Sequence, residues 1–153
     1  MQEALQVTMD YAAAFEETYA DDDWSRLARF FAPDAVYEVR GGPLACRLEG
    51  REAIFAGLKK SIDGLDRRMD QRHIALTDGP DVKSAGDATQ VSMGWRVEYV
   101  YGEAPPVGFD GRSIARIADG VIVELRDEYE DALTADFEAW MAEHGAELDG
   151  AYI

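Results

Sequence analysis

The apolar residues of this chain change period at Gly64, from mainly helical before it to a long run of strands after it. Ala4, Val7, Tyr11, Phe15 and Tyr19 fall at three- and four-residue steps, the stripe of an amphipathic helix. Asp21-Asp22-Asp23 supplies an N-cap for a second, short helix bearing Trp24, Leu27, Phe30 and Phe31, which Pro33 is expected to end. Ala35–Val39 alternates as a strand, and Gly50 opens a third helix from Arg51 to Ile62 with Ile54, Leu58 and Ile62 on one face. Beyond Gly64 the period is two. Met69–Thr77, Ala88–Tyr101, Phe109–Ile117 and Val121–Tyr129 read as strands rich in β-branched and aromatic residues.

Asp119-Gly120 between the last two strands has the residues of a two-residue hairpin turn. Pro105 and Pro106 make the stretch 102–108 a connection, not a strand. Thr134 is predicted to cap a last helix that runs through His144, with Phe137, Trp140 and Met141 inward and Gly145 as its stop. The rest of Gly145–Ile153 shows no pattern. Helices followed by a run of long strands specify an α+β fold, a curved antiparallel sheet wrapped over three N-terminal helices, in one domain over residues 1–153. One helix cannot fill the concave side of such a sheet, so a binding pocket is expected there.

Charge narrows the partners. With 31 acids against 15 bases the formal net charge is −16, which repels phosphate backbones and anionic lipid and predicts neither nucleic acid nor membrane as partner. No apolar run approaches the ~20 residues of a membrane span, and the first residues carry acids where a secretory leader needs bases. The lone Cys46 cannot close an internal disulfide, which fits a reducing, cytoplasmic setting. His73 and His144 are far apart and no HExxH or CxxC spacing occurs, so no metal or organic cofactor is expected.

Asp127 is the first candidate for chemistry. On the last strand it shares parity with Val123, Leu125 and Tyr129, which turns it toward the apolar, cavity-side face. Apolar surroundings disfavour a carboxylate anion, raise its pKa and make it a competent acid or base near neutrality. The bland alternative is a carboxylate paired with an arginine to hold the sheet. Arg96 and Glu98, two apart on one strand, point the same way. They are either partners of Asp127 or, because the apolar residues of that strand are the odd ones, an outward salt bridge. His73 is a second proton carrier, or a strand histidine bonded within the core.

These elements and several local phrases resemble the nuclear-transport-factor-2-like superfamily, in particular its SnoaL-like, limonene-epoxide-hydrolase-like and ketosteroid-isomerase-like members. The phrases are Asp23-Trp24 with Phe30-Phe31-Ala32-Pro33-Asp34-Ala35-Val36-Tyr37, Glu49-Gly50-Arg51-Glu52-Ala53-Ile54, Arg72-His73-Ile74, Gly86-Asp87-Ala88-Thr89, and Asp119-Gly120 with Glu124-Leu125-Arg126-Asp127-Glu128-Tyr129. The resemblance implies a cone-shaped fold, acid–base chemistry on a small apolar molecule, and a homodimer through the sheet. Its lead reaction is epoxide hydrolysis, with Asp127 as base, Glu98 as acid and Arg96 bridging them. Tyr37 matches a water-holding tyrosine of that group, but Val39 stands where the group has an asparagine, and the chain contains no asparagine. The alternative is a dehydratase, isomerase or cyclase built on His73 with Tyr19 and Tyr37, although Ala20 replaces the aspartate that follows the first of those tyrosines. Phe15, Tyr19, Val39, Trp95 and Leu125 are the expected substrate-lining positions. A third reading is a module of the same fold that binds a small ligand without turning it over, or dimerises through an outward Trp95 and Tyr99.

Overall fold

The computed structural model describes residues 1–153. Its elements are α1 (Gln2–Asp21), a 3₁₀ segment (Trp24–Phe30), β1 (Phe31–Arg40), β2 (Cys46–Glu49), α2 (Arg51–Gly64), a 3₁₀ turn (Asp66–Arg68), β3 (Gln71–Ala85), β4 (Ala88–Val100), β5 (Val107–Ala118), β6 (Val121–Glu128) and α3 (Asp131–His144). The strands form one six-stranded sheet in the order β2-β1-β6-β5-β4-β3. All neighbours are antiparallel except β1 and β6, which run parallel, so the expected antiparallel sheet is mixed at that one pairing.

Local chemistry explains most boundaries. Asp23 caps the 3₁₀ segment by accepting from the Ser25 amide at 3.2 Å. Pro33 does not end that segment: the strand has already begun at Phe31, and Pro33 sits where the β1–β6 register shifts between Phe31 and Val36. A residue without an N–H is tolerated at such an irregularity. Asp119 and Gly120 both take positive φ, 52° and 78°, which closes the β5–β6 hairpin with the twist that a two-residue turn requires. Thr134 is not the cap of α3. The helix begins at Asp131, and the Thr134 hydroxyl donates back to the Asp131 carbonyl from a buried position.

Two apolar clusters frame the interior. One joins α1, α2 and the β1, β6 and β5 side of the sheet around Leu27, Phe31, Ile54 and Ile122. The other packs α3 through Phe137 and Trp140 against Leu65, Val97, Tyr99 and Leu148. Burying side chains of that size contributes about 1.5–3 kcal/mol each. The segment after α3 folds back over α2: the Asp149 amide donates to the Gly64 carbonyl at 2.9 Å, and Ser61 Oγ donates to the Gly150 carbonyl at 2.6 Å. Gly64 permits this approach, because a Cβ there would lie 1.9 Å from the Asp149 carbonyl oxygen. Between the two clusters the concave face is left open. No helix is long and apolar enough to cross a membrane.

Candidate active site

The opening is a cavity of about 360 Å³, lined mostly by apolar side chains from α1, α2, α3 and the inner face of the sheet. Strand alternation decides what enters it. On β4 the odd residues Val91, Met93, Trp95, Val97 and Tyr99 line the cavity, and on β6 Leu125 and Asp127 do.

Asp127 is the centre of the site. The Tyr37 hydroxyl, from the adjoining parallel strand β1, donates to Asp127 Oδ2 at 2.5 Å. Ser113, directly opposite on β5, donates to Oδ1 at 2.6 Å. Behind Ser113 the Trp95 indole N–H donates to Ser113 Oγ at 2.9 Å. Gly111 faces Trp95 across the β4–β5 ladder, and without a side chain there the indole lies over β5 far enough to reach Ser113. Asp127 joins no arginine or lysine. Burial pushes its carboxyl above the ordinary aspartate range, and the hydrogen bonds from Ser113 and Tyr37 oppose that shift.

Phenols surround the carboxylate. Tyr11, Tyr37, Tyr129 and Tyr152 all line the cavity. Burial raises each of their pKa values, and the Asp127 charge raises them further, so they remain neutral hydrogen-bond donors. Tyr152 is delivered by the segment folded over α2, and its ring stands edge-on to Tyr37 with centroids 5.7 Å apart. A second polar group lies in the same cavity. Arg72 bonds Asp66 at 3.0 Å through Nε and Glu16 at 2.9 Å through Nη1, and Tyr99 donates to Asp66 at 2.8 Å. That cluster satisfies its own charge.

The remaining sequence candidates fall elsewhere. Arg96 and Glu98 are on the outer face of β4, where Arg96 pairs with Glu98 at 3.2 Å and with Asp110 at 3.3 Å. The parity that brings Trp95 and Val97 inward turns them out, and it corrects their placement beside Asp127. His73 is opposite Glu98 in the β3–β4 register and therefore shares its outer face; it is exposed and its ring contacts Gln71 at 3.2 Å. Tyr19 does not line the cavity either: its hydroxyl donates to the Asp66 carbonyl at 3.1 Å and its ring packs under Arg72. Val39 is buried in the core beside Asp127 in the β1–β6 pairing, outside the lining. Phe15, Tyr37, Trp95 and Leu125 line the cavity with Asp127. Trp95 and Tyr99 thus give the outer face no apolar patch.

Sequence reasoning met Tyr11 only in the stripe of the first helix and Tyr129 only through its parity with Asp127, and it gave Ser113 and Tyr152 no part in the site. Ser113 shares parity with Ala115 and Ile117 on a strand that alternation had already identified, so its inward direction was readable. Its meeting with Trp95 and Asp127 depends on the register of three strands.

The profile of the SnoaL-like domain matches residues 12–125, most of the chain. The chain belongs to the SnoaL-like domain family. Its fold is the cone of the nuclear-transport-factor-2-like superfamily, and solved structures agree on this point. A Bacillus subtilis protein provisionally named an isomerase has a TM-score of 0.63 at 20% identity, with 97% of each chain covered. A nuclear-transport-factor-2-like protein from Burkholderia xenovorans gives 0.60 at 20% identity, covering 89% of this chain and 95% of that one. A ketosteroid-isomerase-like fold from Catenulispora acidiphila, solved with trimethylamine, gives 0.54 at 21% identity over 80% and 87%. Likeness at such identities establishes the fold of this SnoaL-like protein alone. Among curated proteins no relative matches.

Proposed function

We propose that this SnoaL-like protein is an acid–base enzyme that isomerises or cyclises a small, largely apolar carbonyl compound, with Asp127 as the proton carrier. The observation that carries this reading is the state of Asp127: a carboxylate on an apolar cavity, its proton affinity raised by burial, held by two hydroxyls and neutralised by no cation. In the proposed reaction Asp127 removes a proton from a carbon beside the carbonyl, and the electron pair moves onto the carbonyl oxygen. A neutral phenol among Tyr11, Tyr129 and Tyr152 donates a hydrogen bond to that oxygen as charge develops. Asp127 then returns the proton to a second carbon, or the carbanion attacks a second carbonyl carbon of the same molecule, whose C=O π pair moves to its oxygen and takes the proton back from Asp127 as the ring closes.

One carboxylate suffices for this shuttle. Epoxide hydrolysis would ask for a second acid bridged by an arginine, and Arg96 and Glu98 lie on the opposite face of the sheet. The proposed partner is accordingly a small molecule.

The test is deuterium incorporation from D₂O into a panel of cyclic enones and β-diketones, read by mass spectrometry for the wild type and Asp127→Asn. Exchange accelerated by the wild type and reduced about 10²–10⁴-fold in the variant is the expected result. Equal exchange by both proteins, or none above the buffer rate, would overturn the reading in favour of ligand binding without turnover.

A further inference from the structure

The two oxygens of Asp127 are held by different kinds of partner. On the Oδ1 side Ser113 has one proton and two lone pairs to place, and its neighbours fix both. The Trp95 indole nitrogen donates and cannot accept, so its N–H, 2.9 Å away, occupies a lone pair of Ser113 Oγ. The single Ser113 proton is left for Asp127 Oδ1 at 2.6 Å. Were Oδ1 to take up a proton and donate it to Ser113, the Ser113 proton would lose its acceptor, since the indole offers none. On the Oδ2 side no indole pins the hydroxyl: Tyr37 lies on the cavity wall with no N–H donating to its oxygen, so its proton can turn toward the cavity while its oxygen accepts from Oδ2.

From this we infer that Trp95 and Ser113 are positioning residues: the indole fixes the direction of the Ser113 hydroxyl, which holds Asp127 Oδ1 as a permanent acceptor and leaves Oδ2 to carry the proton. Gly111 belongs to the same device, because a Cβ at that position would lie 2.6 Å from Trp95 Cζ2 and displace the ring. The inference rests on Asp127 being the proton carrier of the site.

The other titratable groups facing Asp127 do not substitute for this relay. They are Tyr11 from α1, Cys46 from β2, Tyr129 beyond β6 and Tyr152 from the last segment, and each, like Tyr37, is shifted toward its neutral form. Ser113 and Tyr37 are therefore the groups that favour the anion against burial.

The experiment is a titration of the Asp127 carboxyl by NMR on protein labelled with ¹³C at aspartate carboxyls, with the resonance assigned by its absence in Asp127→Asn. Trp95→Phe keeps an aromatic ring and removes the N–H; Ser113→Ala removes the hydroxyl. Both are expected to move the midpoint upward, and the double variant no further than Ser113→Ala alone, because the indole acts only through the hydroxyl. Trp140→Phe is the control. It removes an indole N–H that donates to the Pro105 carbonyl at 2.7 Å and takes no part in the hydrogen bonds of Ser113 or Asp127, and it should leave the midpoint in place.

An unmoved midpoint in Trp95→Phe, or a double variant that adds the two single effects, overturns the inference. The readout needs no substrate, so it stands or falls separately from the deuterium exchange. If turnover is present, its acid limb should move upward with the same midpoint in both single variants.

Discussion

The two faces of one sheet use the same residue types to opposite ends. Outside, each guanidinium meets a carboxylate: Arg96 with Glu98 and Asp110, Arg112 with Asp78, Arg126 with Glu124 and Glu128, and Glu38 between Arg40 and Arg47. Those charges are paired, and most of them are open to solvent. Inside, Asp127 meets only hydroxyls, on the wall of an apolar cavity. A paired carboxylate in water is a weak base, whereas an unpaired one among apolar groups holds its proton more tightly. Sidedness along a strand sets Asp127 apart from the solubilising charges only together with the lack of a cationic partner, since Asp66 and Glu16 in the same cavity have one in Arg72.

The sharpest test of that difference is function. Asp127→Asn should lower turnover about 10²–10⁴-fold. Arg96→Ala and Glu98→Gln should each change it less than about twofold, as expected of exposed pairs that touch nothing in the cavity. A large loss in either outer variant would erase the distinction between the faces. Glycines give the next effect. Gly111→Ala places a Cβ 2.6 Å from Trp95 and 2.9 Å from Tyr129, two packed rings with nowhere to go. It should cost about 1–3 kcal/mol in urea unfolding. On the outer face the corresponding Cβ at Gly94 meets Thr77 Oγ1 at 2.9 Å and Asp78 Cβ at 3.3 Å, both on exposed residues of the edge strand β3, which can shift outward. Gly94→Ala should stay within about 0.5 kcal/mol.

A third test uses pH. The Asp127 carboxyl has a raised pKa in the folded chain, so between the ordinary aspartate range and that raised value the folded state binds more protons than the unfolded one. Stability contributed by protonated Asp127 is therefore present at low pH and lost as pH rises through this window. Asp127→Asn should be more stable than the wild type at neutral pH, with the advantage vanishing as pH falls below the ordinary aspartate range. The outer carboxylates have the opposite sign. Arg40 and Arg47 hold Glu38 below the ordinary glutamate range, so what it contributes is present above that range and lost on acidification. Thermal unfolding from pH 3 to 8 separates the two trends.

Much of the fold was legible because it is written in period. Alternation on β4, β5 and β6 and the Asp119-Gly120 turn fixed the strands that bear the site, and parity alone directed Asp127 inward. The same parity already set Trp95 against Arg96, and only the resemblance to an arginine-bearing site argued for bringing Arg96 in. What could not be read depends on contacts between distant segments. Cys46–Glu49 is a four-residue strand whose pattern is too short to register as alternation, and it exists because β1 offers an edge. β3 runs on to Ala85 because the Asp78–Asp81 stretch is absorbed as register shifts and does not end the strand. Tyr152 enters the cavity only because Gly57 and Gly64 on α2 leave room for the backbone of the segment that carries it. No local signal announces that docking.

The smallest effect is the energy of the outer pairs themselves. Arg96 and Glu98 have side chains 41% and 60% exposed, so their attraction is screened by water and offset by the entropy of holding two flexible side chains. A double-mutant cycle with Arg96→Ala and Glu98→Ala should give a coupling of about 0.2–1 kcal/mol. It should shrink further in 1 M salt, where the screening length falls to about 3 Å. The equivalent cycle on the inner face, Ser113→Ala with Trp95→Phe, should show coupling that salt does not alter, because ions do not enter the packed contact between indole and hydroxyl. If both cycles respond to salt alike, the inner hydrogen bonds are as solvated as the outer ion pairs, and burial is not what sets Asp127 apart.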